Sequence, residues 1–284
     1  MFVLSRASGD PIALMVPVGA SIEEEARMRS VLGLDKPYTT QYWLFISHAV
    51  KGDFGKSLRQ RLPVTTLIAK RLPNSIKLAS FSMLLCLIFT FPLGVIAAVK
   101  KDSGIDTLAK IVAILGQSMP SFLVGILLIE IFAVRLGWTP SSDIGGIDHY
   151  ILPGFNTGWF LTAGMVRLLR SGMLEALDSD FVNMARIKGV SEMAVVWKHA
   201  LRNALIPVFS FGGMYFAILI TTSIVVETVF SWPGLGRMVY EAIIGRDYPI
   251  IQGVILTAAA MIMIVNLIID IAYCYIDPRI KYGD

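Results

Sequence analysis

Charge is scarce in this chain. Asp, Glu, Lys and Arg make up 16% of its 284 residues, while 55% are hydrophobic. Soluble domains carry about 25% charged residues. The deficit, with a mean hydropathy of +0.67, argues against a large soluble core and for an integral membrane protein. Runs of five or six like charges are missing too, so there is no basic arm for nucleic acid. The net charge of +4 fits Lys and Arg held in cytoplasmic loops. Only two cysteines occur, Cys86 and Cys274, both inside apolar runs. They read as small hydrophobic packers. With no CxxC or Cys/His cluster, a zinc or redox site has no support. His48, His149 and His199 are far apart in sequence, so no metal is assigned to them. GxSxG and HExxH are absent as well, and no catalytic residue is assigned.

A phosphate loop is mimicked but not made. "VKGDFGKSL" at 50 to 58 resembles G-x-x-x-x-G-K-[ST], yet Val50 stands where the first glycine belongs. No buried strand leads into it, and the motif needs strand, loop and helix together. This chain is therefore expected to bind no nucleotide.

What is present is a set of long apolar runs. A bilayer-crossing helix needs roughly 20 mostly apolar residues. Five stretches qualify or come close: 75 to 99, 108 to 134, 151 to 172, 205 to 230 and 250 to 276. The third is the weakest, with Arg167 and Arg170 near its end. Pro92, Pro120 and several glycines lie inside these spans, where neighbouring helices re-satisfy freed backbone groups. Among intramembrane polar groups, Glu130 lies five residues before Arg135. Asn266 and Asp270 share one helical face, and serve as helix-to-helix glue or as a functional acid.

Loop charges then set the orientation. Lys100, Lys101 and Lys110 mark the first loop; residues 136 to 150 hold no Lys or Arg; 173 to 203 is basic; Arg279 and Lys281 close the chain. The positive-inside rule places 100 to 107, 173 to 203 and 277 to 284 in the cytoplasm, with 136 to 150 and about 231 to 249 outside. Residues before 75 are then outside. Only "MFVL" precedes "SRASGDP", too short to span and no signal peptide. A leading helix is therefore expected upstream of residue 10.

The basic interruption "NMARIKGVSEMAVVWKHALRNALIP" at 183 to 207 holds two short helices meeting at Gly189. Asp178 and Asp180 are expected caps of the first, and Ser191 of the second. Gly189 is expected where there is little room for a side chain and where positive φ is useful. By physics alone, an apolar edge with basic flanks suits either a groove on a partner protein or the lipid headgroups.

This stretch resembles the EAA loop of binding-protein-dependent ABC importer permeases. Asn183, Met184 and Ala185 stand at the EAA positions, three residues follow, and Gly189 matches the glycine. Ile206-Pro207 stands several residues late for the closing Leu-Pro. "HALRNAL" at 199 to 205 resembles the peptide/nickel branch. So do "GDFGKSL", "RLPNSIKLA", "SMPSFLVGILLI", "LGWTPSS", "VVETVFSWPGLGRMVYEAIIGRDYPIIQG" and "YIDPRIKYG". "SRASGDP" resembles the end of that family's first helix.

The resemblance implies an all-α integral membrane protein of the type I permease fold, with most of the first helix absent here. Residues 1 to 74 would be the end of that helix plus an extracytoplasmic segment, 75 to 276 the permease domain and 277 to 284 a cytoplasmic tail. It implies a coupling helix built from Asp180, Phe181, Met184, Ala185, Lys188, Gly189, Val190 and Glu192. It also implies an outer gating or re-entrant element at Trp232, Pro233, Gly234 and Gly236, where both glycines suit a tight turn. Partners would be a second homologous permease subunit, two cytoplasmic ATPases holding ATP and Mg, an extracytoplasmic binding protein, and lipid. The implied role is ATP-driven import through the bacterial inner membrane, of di- or oligopeptides, with nickel, glutathione and other small solutes as alternatives. An ion-coupled transporter or a membrane anchor are the rival classes.

Overall fold

A computed structural model of the chain describes residues 12, 21–31, 33–104, 106–107, 111, 114 and 118–276. "SRASGDP" at 5 to 11, Lys110 and the tail 277 to 284 lie outside them. The described residues are helical with no strand; the nearest thing is a single bridge pairing Lys56 with Pro63. They fall into two compact units, one of residues up to Ser75 with Pro233–Ala260, the other of Ile76–Trp232 with residues from Met261 on.

Among the described residues, the α-helices with defined bounds are, in order, α1 (Ile22–Val31), α2 (Tyr38–Ala49), α3 (Val64–Val99), α4 (Ser121–Leu128), α5 (Asp148–Leu177), α6 (Asp180–Ile187), α7 (Glu192–Ala194), α8 (Leu201–Thr222), α9 (Ile224–Val229), α10 (Leu235–Ile244) and α11 (Tyr248–Ile276). Two π-helical turns interrupt the α pattern. Ile129–Arg135 extends α4, and Val195–Ala200 joins α7 to α8. The first explains Glu130 and Arg135: five residues apart, they form a 2.9 Å ion pair, because i to i+5 spacing aligns on a π-turn.

Three helices are long and apolar enough to cross a membrane among the described residues: Val64–Val99, Glu192–Ile220 and Tyr248–Ala272. α3 has 36 residues, about 54 Å at 1.5 Å per residue, well beyond a ~30 Å hydrocarbon core. Its first turns carry Lys70, Arg71 and Asn74 and suit a watery setting. α5 is 30 residues long but is diluted by Asp148, His149, Arg167 and Arg170. Part of the stretch 108 to 134 lies outside the described residues. The run 205 to 230 is not one helix. It stops at Thr222, turns at Ser223 (φ −70°, ψ 21°) and resumes as α9.

The second unit is built around α5. Leu161, Met165, Leu169 and Met173, at four-residue spacing, are all buried against Cys86, Val95 and Ala98 of α3 and Ala200, Ala204 and Val208 of the chain entering α8. Burial of Cys86 matches a packing role. Small residues let these helices approach closely, which is how membrane helices gain contact without a hydrophobic driving force. At Gly158 a Cβ would lie 2.7 Å from the Ser82 carbonyl oxygen, so nothing larger than glycine fits without a shift. Arg170 of α5 has a buried partner. Its guanidinium holds the fully buried Asp106 carboxylate through bonds of 2.6 and 2.8 Å.

The first unit closes around Asp247. Its carboxylate, buried, accepts from the Ser57 hydroxyl (2.5 Å) and from the backbone N–H groups of Leu58 and Arg59 (3.2 Å each). The P-loop-like stretch is thus a loop with Gly52 and Gly55 at φ 77° and 78°, and the Asp247 carboxylate already takes its Ser57 hydroxyl and Leu58 amide. In the same unit the Ser75 hydroxyl accepts the first N–H of α10, from Leu235, at 2.8 Å. It does the work of a capping side chain where Gly234 has none.

Candidate functional site

α6 has one buried edge and one open face. Val182 and Ala185 pack with Val195 in a small cluster flanked by Leu177 and Val190. The opposite face presents Phe181, Met184 and Ile187, exposed by 46%, 53% and 80%. Met193 and Trp197 continue the exposed apolar set beyond the turn. An apolar strip of this kind, three residues apart on a helix, is the form in which helices enter partner grooves.

The turn after α6 is a Schellman motif. Gly189 N–H donates to Arg186 O (2.9 Å) and Val190 N–H to Ala185 O (3.1 Å), with Gly189 at φ 77°. The apolar contact that accompanies such turns is supplied by Val190, which packs against the cluster of Val182, Ala185 and Val195. Arg186 then bridges the turn to Glu192 at 2.8 Å.

Two sequence expectations are corrected here. Gly189 is not crowded: a Cβ there would meet nothing within 4 Å, so its left-handed φ alone demands glycine. Asp178 and Asp180 do not cap α6. The N-cap is Ser179 (φ −77°, ψ 153°), and its hydroxyl bonds backward to Ala176 O rather than to the helix. Ser191 does stand at the N-cap of α7, but without a side-chain bond. Of the proposed coupling residues, Asp180, Phe181, Met184, Lys188, Gly189 and Glu192 are exposed, whereas Ala185 is buried and Val190 half-buried. Ala185 and Val190 therefore brace the turn from within. Ile187, Met193 and Trp197 were missed. The signal for Ile187 was its place three residues after Met184 on the Phe181 face.

The segment from Trp232 to Gly236 also differs from expectation. Gly234 is extended (φ −106°, ψ −171°) and Gly236 lies within α10, so neither makes the turn. The tight turn is one step earlier at Ser231 (φ 51°). There Ser231 N–H reaches Thr228 O and Trp232 N–H reaches Glu227 O at 2.7 Å. Trp232 is fully buried, its ring edge-on to Tyr150 at 4.7 Å between centroids.

Polar groups the sequence did not flag lie in the interior of the second unit. Glu227, fully buried, accepts the Ser223 hydroxyl proton at 2.7 Å. Asn156 is 3% exposed and donates to Ser121 O at 3.1 Å. Asn266 and Asp270 both lie on α11 at the spacing that puts them on one face.

Membrane-length helices packed through glycine, with the buried Asp106 carboxylate held by Arg170, have the build of a multi-pass membrane protein. Residues 90–282, well over half the chain, match the family described as "Binding-protein-dependent transport system inner membrane component", and the chain belongs to that family. Among its relatives is the glutathione transport system permease protein GsiC of Escherichia coli K12, 43% identical over 274 residues that cover 96% of this chain and 90% of that protein. GsiC of Salmonella typhimurium is 41% identical over the same shares. Inward-facing MetNI methionine ABC transporter structures share the fold, at TM-score 0.62 and 17% identity over 74% of this chain and 96% of theirs. An amino acid ABC transporter with histidines does so at 0.58 and 14%, over 73% and 92%. The protein is a permease subunit of a binding-protein-dependent ABC importer. It is an inner-membrane transport component of the type I permease fold, not an enzyme. In such systems separate ATPase subunits supply the driving force, and a binding protein supplies the solute.

Proposed function

We propose that this chain carries small peptides or peptide-like solutes, with glutathione among them, across the membrane. It pairs with a second, related permease subunit above two cytoplasmic ATPases. α6 and the Gly189 turn are its coupling helix. The observation that carries the coupling role is the exposed strip of Phe181, Met184 and Ile187 on a helix whose other edge is locked by Val182 and Ala185. A rigid knob of this kind transmits displacement: when ATP closes the ATPase dimer, α6 moves and α5 and α8, joined to it, move with it. Peptide-like cargo is supported by the 43% identity to a glutathione permease and by the sequence motifs of the peptide branch. The Trp232 to Gly236 segment serves the outer side, and residues 277 to 284 the cytoplasmic side. No step uses ATP or Mg on this chain.

The experiment is reconstitution of the permease pair, ATPases and binding protein in proteoliposomes. ATP-dependent uptake of labelled glutathione and of Ala-Ala is expected. Uptake driven by an ion gradient without ATP would overturn the reading. Topology is read separately: a cysteine at Ser142, exposed, labels in intact cells, whereas one at Ser191 labels only after permeabilisation.

A further inference from the structure

The open side of α5 is unlike a surface made for lipid. Beyond Asn156, the exposed residues of this helix are Phe160, Arg167, Ser171 and Glu175. Spaced by seven, four and four residues, they form one stripe along the helix. Met165, Leu169 and Met173, on the buried side, pack against α3 and the chain entering α8. α3 shows what an apolar face of the same unit looks like. Between Phe81 and Val99 it exposes Leu84, Ile88, Phe89, Ile96 and Val99, while its hydroxyl residues Ser82 and Thr90 are buried.

Arg167 sits in the middle of the α5 stripe. Among the described residues it makes no ion pair. The buried acid that α5 does meet, Asp106, is held by Arg170. Glu175 stands eight residues on, about 12 Å along the axis. A guanidinium stays charged, and charge among membrane helices is kept where it faces water or an opposite charge. Toward the N-terminus the stripe runs into a cavity of about 490 Å³, whose lining includes Thr157 and Phe160. Gly164 adds no side chain between Phe160 and Arg167, and helical side chains lean toward the N-terminus, here the cavity end. A cation, a hydroxyl and a carboxylate on one stripe that leads to a cavity suit a hydrated, charged solute better than acyl chains.

We propose, resting on the transport reading above, that this stripe of α5 lines the solute path and that Arg167 is a solute contact. Its guanidinium donates to the carboxylate of a peptide-like solute, the geometry in which arginine forms paired N–H···O bonds. Glu175 gives the same face the opposite sign, so the stripe carries both charges of a zwitterion. The permease then has a preference of its own, beyond that of the binding protein, for solutes that keep a free carboxylate.

The test uses the assembled transporter in phosphatidylcholine nanodiscs, with Ser171→Cys as reporter and the chain without that cysteine as background. Ser171 is exposed and one turn from Arg167. The rate of maleimide labelling is followed against added Ala-Ala and against Ala-Ala amide, which lacks the carboxylate. Ala-Ala protects the cysteine, and the amide needs a concentration about tenfold higher, the scale of one hydrogen bond between charged groups. Arg167→Gln brings Ala-Ala to the level of the amide, and Arg167→Lys keeps part of the difference. Loss of a merely structural arginine would not erase a preference between these two solutes. A reporter that does not label in the assembled transporter would mean that another subunit covers the stripe, and the proposal falls. It falls equally if Ala-Ala and its amide protect alike, or if Arg167→Gln leaves their difference unchanged. Protection that arises only when phosphatidylglycerol is added, and not from Ala-Ala, assigns Arg167 to lipid headgroups and overturns it too. If Arg167→Gln does not assemble, the comparison of Ala-Ala with its amide in the Arg167 protein decides. Labelling needs no turnover. Carboxylate-dependent protection without ATP-driven uptake of Ala-Ala sinks the peptide-transport reading and leaves the site standing; uptake without protection does the reverse.

Discussion

The turn at Gly189 and the turn at Ser231 use the same hydrogen-bond scheme for opposite ends. Each closes a short helix with paired bonds across a left-handed residue, φ 77° at Gly189 and 51° at Ser231. Around the first, Ile187 and Met193 face outward, 80% and 76% exposed, although Val190 packs inward. After the second the apolar residue faces inward, with Trp232 fully buried against Tyr150. Glycine at 189 makes its turn free of strain. Serine at 231 holds the same backbone at a steric cost, tolerated because the surrounding packing over-determines it. An apolar residue beside a tight turn therefore says little about its role until its burial is known. Outward, it is surface for a partner; inward, it is structure.

The comparison can be broken most severely at Trp232. Trp232→Ala empties a packed site, and the expected loss is about 3–5 kcal/mol of stability, read as a lowered melting temperature of the detergent-solubilised permease complex. A melting curve like that of the wild type would show that the ring is not structural. Met184→Asp is expected to leave melting unchanged but to weaken ATPase retention by ~2 kcal/mol, the scale of an interface hot spot. Co-purification of the ATPase measures it, and full retention would place α6 on lipid instead. Gly189→Ala comes next, at about 1–2 kcal/mol for a Cβ in left-handed backbone. Because space around it is open, strain and not collision is what the substitution tests. Its readout is the ratio of solute transported to ATP hydrolysed, and Gly189→Asn, better tolerated at positive φ, should recover part of the loss. The smallest effect is Ser231→Gly, a gain of up to ~1 kcal/mol as left-handed strain is relieved, reduced by the added freedom of glycine in the unfolded chain. A lower melting temperature in that variant would mean the serine side chain holds something worth more than the strain.

Some of this was legible beforehand because it is local. The apolar runs, the basic loops and the glycine between two short helices follow from composition and near-neighbour periodicity, which a linear reading captures. Helix breaks were less legible. The run 205 to 230 reads as unbroken grease, yet it turns at Ser223 because that hydroxyl finds Glu227 four residues on. The turn expected at Gly234 sits at Ser231 instead, since Gly234 stays extended beside the Ser75 hydroxyl that caps α10 in its place.

The residues alone point to a many-helix membrane protein that resembles the importer permease family, with a basic helix pair expected on the cytoplasmic side. Charge scarcity, hydrophobic length and Lys/Arg asymmetry are summed properties that survive any packing. Only the tertiary structure decided which side of each helix is inside. It set Arg170 on Asp106 across 64 positions and put the Asp247 carboxylate into the loop at Ser57, 190 positions away. Such pairings have no short-range signature, because the desolvation cost of a buried polar group is met by whichever partner the fold brings within reach.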